Sequence, residues 1–106
     1  MGGRRKGELT GAGIDRGYPH QVAVAATLCA GRNYRTIHAF CETLSLAPRG
    51  HTVRRDDVDY LVFCFAEKGH ADLFAAHFGG EKFNPKDRGR GANWREWRRK
   101  EAQSSR

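Results

Sequence analysis

The nine residues from Val58 to Ala66 constrain the fold more than any other stretch of the chain. Val58, Tyr60, Leu61, Val62, Phe63 and Phe65 are β-branched, aromatic or aliphatic, the residue types that suit a pleated backbone. They fall on both faces of an extended segment, so the strand they form needs cover on both sides and belongs at the centre of a sheet. Partner strands are visible around it. His20 to Leu28 alternates Val22 and Val24 with Gln21 and Ala23, and His51 to Arg55 is a short mixed strand. Asp56 and Asp57 supply turn chemistry before the central strand. Glu81 to Asn84 makes a last short strand, closed by Pro85.

Two helices separate these strands. Tyr34, Ile37, Phe40, Cys41 and Leu44 fall within an arc of about 120° on a helical wheel, with Arg35, Glu42 and Thr43 opposite. Asn33 is placed to cap this helix and Pro48-Arg49-Gly50 to stop it. Ala71, Phe74, Ala75 and Phe78 form the stripe of a second helix from about Gly69, with Gly79 as its left-handed end. The order strand, helix, strand, strand, helix, strand is the split βαβ, or ferredoxin-like, arrangement. The expected fold class is therefore α+β, a ferredoxin-like βαββαβ sandwich with both helices on one face of a four-stranded antiparallel sheet.

Charge divides the chain into three parts. Residues 1–17 carry a net charge of +2, residues 18–85 are neutral, and residues 86–106 carry +5, which together give the formal +7. Six of the 13 glycines lie in residues 1–17, which hold almost no apolar side chains. Such a segment buries too little surface to offset its ordering entropy, so it reads as a disordered basic arm. Residues 18–85 read as the folded domain, and residues 86–106 as a basic extension rich in Trp and Arg. At 106 residues with 39 % apolar content, the chain is one domain diluted by tails. No run approaches the ~20 apolar residues that span a membrane, and Met1 to Tyr18 has no apolar stretch of a secretory signal. Three cysteines, Cys29, Cys41 and Cys64, fit reduced thiols in the cytoplasm better than a disulfide framework.

Residues Tyr60 to Phe83, YLVFCFAEKGHADLFAAHFGGEKF, resemble the second half of an RNA-recognition-motif domain. The shared features are an apolar third strand, a short turn, an Ala-rich helix, a glycine end and a final strand. In that family aromatics of strands one and three stack bases. Tyr60 stands at the first aromatic position of the strand-three motif and Val62 at the second. Val58-Asp59 replaces the motif's Arg/Lys-Gly start, and Ala23 stands where strand one usually carries an aromatic. What the resemblance implies is the fold.

With Leu61, Phe63 and Phe65 turned to the helices, Tyr60, Val62 and Cys64 face away with Ala23 and Ala25. That reverse face is flat and apolar, and monomers rarely leave such a face to water. A second copy of the chain, a partner protein or the chain's own tail should cover it. Trp94 and Trp97, three residues apart on one helical face, are candidates for docking there. The same tail suits nucleic acid: Arg88, Arg90, Arg95, Arg98, Arg99 and Lys100 would neutralise phosphates, and Trp94 and Tyr60 would stack on bases.

Nothing in the sequence has the spacing of a catalytic motif. His70 and His77 are two helical turns apart, and His38 with Cys41 is the one pair at metal-ligand spacing, with Cys41 inside an apolar stripe. His51, near Arg54 and Arg55, would serve a small nuclease as acid or base together with an Asp, and Asp56, Asp57 and Asp59 would form part of a magnesium site. The leading expectation is a non-enzymatic protein contacting nucleic acid or a ribonucleoprotein through its basic ends, without cofactor or metal and without a membrane. The alternative is a protein-interaction module working through the open sheet face: a homodimer, an adaptor, or an inhibitor such as a phage or mobile element encodes.

Overall fold

In a computed structural model that describes residues 10–87, 89 and 94–97, the apolar run is strand β3 (Val58–Phe65), with a neighbour along each edge. Strands β1 (His20–Ala25), β2 (His51–Arg55) and β4 (Glu81–Phe83) complete the sheet in the order β2-β3-β1-β4, and every pairing is antiparallel. Three helices accompany it: α1 (Gly11–Gly17), α2 (Arg32–Cys41) and α3 (Lys68–Phe78). The described residues thus form a small α+β domain.

The hairpin joining β2 and β3 turns through Asp56 and Asp57, at φ 54° and 65°. Two consecutive positive φ values match the twist of the flanking strands, and short polar side chains tolerate them. Gly79, at φ 72°, ends α3, and its N–H donates to the Ala75 carbonyl at 2.8 Å. The start of α3 is held from a distance. Ser45 Oγ accepts from the N–H groups of Ala66 (3.1 Å) and Glu67 (3.0 Å), while the Ser45 N–H donates to His70 Nδ1 at 2.9 Å.

Helix α2 departs from the sequence reading at both ends. It starts at Arg32 behind Gly31, whose φ of 59° turns the chain out of a 3-10 segment, so Asn33 lies inside it. It stops at Cys41, and Leu44 reaches the core from the turn that follows. Tyr34 lies off the buried stripe and is 54 % exposed.

The sheet carries a core on each face. Toward α2 and α3 lie Val22, Val24, Phe63 and Phe65, packed with Ile37, Cys41, Ala71 and Phe74. On the reverse lie Ala23, Val53, Val62, Cys64 and Phe83, packed with Ile14, Ala47 and Trp97. The reverse core corrects one expectation and decides between others. Residues 11–17, read as part of a disordered arm, form α1, with Ile14 fully buried. Of the covers expected for the reverse face, a second copy, a partner or the chain's own tail, the structure shows the chain's own: Trp97 of the tail docks there, joined by α1.

Helix α1 does not form on propensity. Its sequence, GAGIDRG, holds three glycines, each about 1 kcal/mol worse than Ala in a helix. Docking and capping compensate. Thr10 Oγ1 accepts from the Gly13 N–H at 2.9 Å, and Ile14 enters the reverse core. Gly11 is needed for contact rather than flexibility, since a Cβ there would lie 2.6 Å from Trp94 Cη2.

Candidate functional site

The reverse face is built on small residues at its centre. Register sets Ala25 opposite Tyr60, Ala23 opposite Val62 on one side and opposite Glu81 on the other, and Val53 opposite Tyr60. Without bulk at 23 and 25, the side chain of Arg55 on β2 reaches Glu81 on the far strand. Its two guanidinium NH groups donate to the Glu81 carboxylate at 3.0 and 3.2 Å and to the Tyr60 hydroxyl at 3.2 Å. These bonds hold the Arg55 guanidinium above its ordinary pKa, the Glu81 bond contributing most.

Trp97 closes this arrangement. It is 4 % exposed, with the Arg55 guanidinium 4.0 Å from the centre of its ring. Tyr60 and Phe83 meet it edge-on, at centroid distances of 5.1 and 5.3 Å. The backbone is anchored too, along the outer edge of β2. The Arg54 N–H donates to the Arg95 carbonyl at 2.8 Å, and the Trp97 N–H donates to the Arg54 carbonyl at 3.0 Å. The segment thus adds a parallel bridge, Arg54 to Glu96, to an edge that would otherwise be open to another strand. Beside it, Asp15 of α1 pairs with His51 Nε2 at 3.3 Å and accepts from Gln21 Nε2 at 2.9 Å, while Trp94 meets the His51 ring edge-on at 5.1 Å.

Among the residues read as an intermolecular interface, Ala23, Val62, Cys64 and Trp97 are buried inside the chain, and Ala25 and Tyr60 are half-buried beneath the cover. Of the nucleic-acid candidates, Arg95 is exposed, whereas Trp94 is half-buried against Gly11 and His51. Tyr60 spends its ring on Trp97 and its hydroxyl on Arg55, so neither aromatic is a free stacking platform. Arg88, Arg90, Arg98, Arg99 and Lys100 lie outside the described residues.

The hairpin aspartates do not gather with His51, whose carboxylate neighbour is Asp15 instead. Asp56 and Asp57 turn the hairpin at the far end of β2 from His51, and Asp59 pairs with Arg54 at 3.0 Å. His38 is exposed while Cys41 is buried in the helix-side core, where burial pushes its thiol up to about 11. Among the described residues, no group of three or more His, Cys, Asp or Glu side chains is placed to hold a metal, and no helix is long and apolar enough to cross a membrane.

Sequence reasoning missed Ile14, Asp15, Arg55 and Glu81 as parts of this face. The alternation of Val53 and Arg55 in a strand was the available signal for Arg55; nothing local marks Ile14. Compared with known protein families, curated proteins and solved structures, the chain matches none.

Proposed function

We propose that this is a small non-enzymatic nucleic-acid-binding protein, in which a neutral folded body presents basic segments to the phosphate backbone. The observation that carries this reading is the partition of charge. The described residues hold ten basic and ten acidic side chains, so the net +7 belongs entirely to the remainder, with nine basic against two acidic. Cations gathered in this way bind polyanions through release of condensed counterions. The Trp97 anchor supports the reading, because Arg98, Arg99 and Lys100 follow it directly in sequence. A tethered basic run loses less freedom on binding than a free one. The proposed location is the cytoplasm, where the three unpaired thiols would stay reduced.

The ferredoxin-like assignment belongs with this proposal. It is supported by β3 lying between β1 and β2 and β1 lying between β3 and β4, with α2 and α3 packed on one face. Helix α1 and the Trp97 segment are additions on the other face.

Binding of the full chain to duplex and single-stranded oligonucleotides across a salt series tests the function. Affinity should fall steeply with salt, and the triple variant Arg98→Gln, Arg99→Gln, Lys100→Gln should lower the slope by roughly 2–3 for duplex DNA, at about 0.9 per phosphate contact. No association at low salt, or affinity indifferent to salt, refutes it.

A further inference from the structure

Helix α2 is thinly supported by its own chain. Of its ten residues only Ile37 and Cys41 are buried, Phe40 is half-buried and the other seven are exposed. A helix this short takes its stability in water from the face it packs rather than from propensity. Its charges also run against its dipole. Peptide dipoles make the N-terminus positive and the C-terminus negative, so acidic side chains suit the first turn and basic ones the last. Here Arg32 and Arg35 occupy the first turn with no acidic residue beside them, and Glu42 caps the C-terminus; His38 is the one basic side chain of the last turn. Arg32, Arg35 and Glu42 are all exposed, and none has an ion-pair partner among the described residues.

These charges share one face. At 100° per residue, Arg32, Arg35, Ala39 and Glu42 fall within an arc of about 80°, opposite Ile37 and Cys41 and so turned away from the sheet. The stripe is positive at one end, small in the middle and negative at the other. Arg35 and Glu42 stand about 10.5 Å apart along the axis, with Ala39 beside the midpoint. Such a stripe is complementary to itself when reversed. Two copies of α2 laid antiparallel bring Arg35 of each against Glu42 of the other, and the Ala39 methyls let the backbones approach. The reversal also sets each Arg35 beside the negative end of the other helix and each Glu42 beside its positive end, which is where the dipoles favour them. A uniformly acidic or basic partner would be attracted at one end of the stripe and repelled at the other. Neutral surface flanks the stripe: Thr36 and Thr43 are exposed, and on α3 so are Ala76 and Leu73, the latter by 55 %. Leu73 lies one turn before His77, whose ring stacks on Phe40 of α2 at 4.5 Å.

We propose that the chain pairs with a second copy through the outer face of α2, the two helices antiparallel about a two-fold axis, with two reciprocal Arg35–Glu42 pairs setting the register. The contact is isologous, so every favourable pair occurs twice. A face built mainly on one short helix places it among small, reversible interfaces, and the dimer forms in proportion to concentration. The inference is independent of the nucleic-acid reading and of the reverse face, which Trp97 and α1 already close.

Sedimentation equilibrium of the full chain, freed of nucleic acid, tests it over a concentration series reaching about 1 mM, where even a millimolar dimer would hold half of the chains. Wild type should pass from monomer to dimer along the series. In Arg35→Glu the symmetry turns one substitution into two repulsions, so the dissociation constant should rise about tenfold or more, and Glu42→Arg should act alike. The double variant Arg35→Glu, Glu42→Arg exchanges the two charges and should dimerise more tightly than either single variant. Both single variants bring charge of the favoured sign to a helix end, so the monomer keeps its fold, which far-UV circular dichroism verifies. A wild-type chain that stays monomeric throughout the series overturns the proposal. So does a dimer indifferent to both single reversals, or a double variant that associates no more tightly than they do.

Discussion

Replacing Trp97 with Ala tests whether the cover of the reverse face is structural. Truncating a Trp in a fixed core costs about 3–5 kcal/mol, from lost transfer energy and the cavity left behind. Trp97 is 4 % exposed, so the transfer part applies nearly in full. Its specific contacts add to this: two edge-on aromatic partners at about 0.5–1.5 kcal/mol each, and the Arg55 guanidinium over its face. One effect works the other way. Among the described residues, the segment 94–97 has backbone bonds to Arg54 and Gly89 and lies at the edge of the sheet, so without the indole it can lift off and be hydrated rather than enclose a void. That release lowers the expected loss to about 2–4 kcal/mol, a fall in melting temperature of roughly 10–20 °C for a domain of this size.

Two further signatures separate an undocked cover from a general loss of packing. Lifting the segment exposes Val62 and Phe83 together, so Trp97→Ala should bind an apolar dye under conditions where wild type does not. Trp97→Phe keeps a ring for Tyr60 and Phe83 to meet edge-on, and should lose less than half as much stability. Urea unfolding followed by circular dichroism measures all three proteins. A Trp97→Ala midpoint within about 0.5 kcal/mol of wild type, with no dye binding, would show that the cover does not hold the face closed and would refute the reasoning.

Other consequences are direct. Asp57→Gly should stabilise the hairpin by about 0.5–1 kcal/mol, because φ of 65° is strained for Asp and free for Gly; urea unfolding checks it. Cys29, Cys41 and Cys64 are all buried, and burial raises the thiols of Cys29 and Cys41, the latter to about 11. A colorimetric thiol reagent at mildly alkaline pH should therefore find no reactive thiol in the native protein and three in denaturant. Asp72 accepts from Lys82 and Lys68, and these bonds hold its carboxyl below the ordinary Asp value, Lys82 contributing most. A folded pKa below the unfolded one contributes stability above the ordinary Asp range that disappears as pH falls through the lowered value. The melting temperature of Asp72→Asn should thus lie below that of wild type at neutral pH, and the gap should close on acidification.

The sequence was most legible where local pattern and global fold agree. The two-faced apolar run marks β3 as central, the His51–Arg55 strand has the expected bounds, and Gly79 ends α3 in the left-handed conformation that only its missing Cβ makes easy. Legibility failed where a residue's role depends on a distant partner. Gly11 looks like linker, but it makes room for a Trp ring 83 positions later. Ile14 is one of very few apolar residues in a Gly-rich arm, too few to set a period. Tyr34 fits the α2 stripe by angle, yet α2 leaves β2 uncovered, so the ring borders a cleft instead of entering the core. Periodicity tells which way a side chain points on its own element, and it does not tell whether another element meets it there.

The covered reverse face also bears on where contact with a ligand can occur. A sheet that reads bases needs aromatics free on its outer strands. Here the central strands carry Ala23, Ala25 and Val62, and the one well-placed aromatic, Tyr60, is engaged by Trp97 and Arg55. The alanines are what let Arg55 cross to Glu81 and let the Trp97 ring lie flat beneath its guanidinium. The same residues that remove base stacking from the sheet therefore create the seat for the C-terminal anchor. On the nucleic-acid reading proposed above, contact therefore falls to the cations that follow Trp97 in sequence, which sense phosphate rather than base.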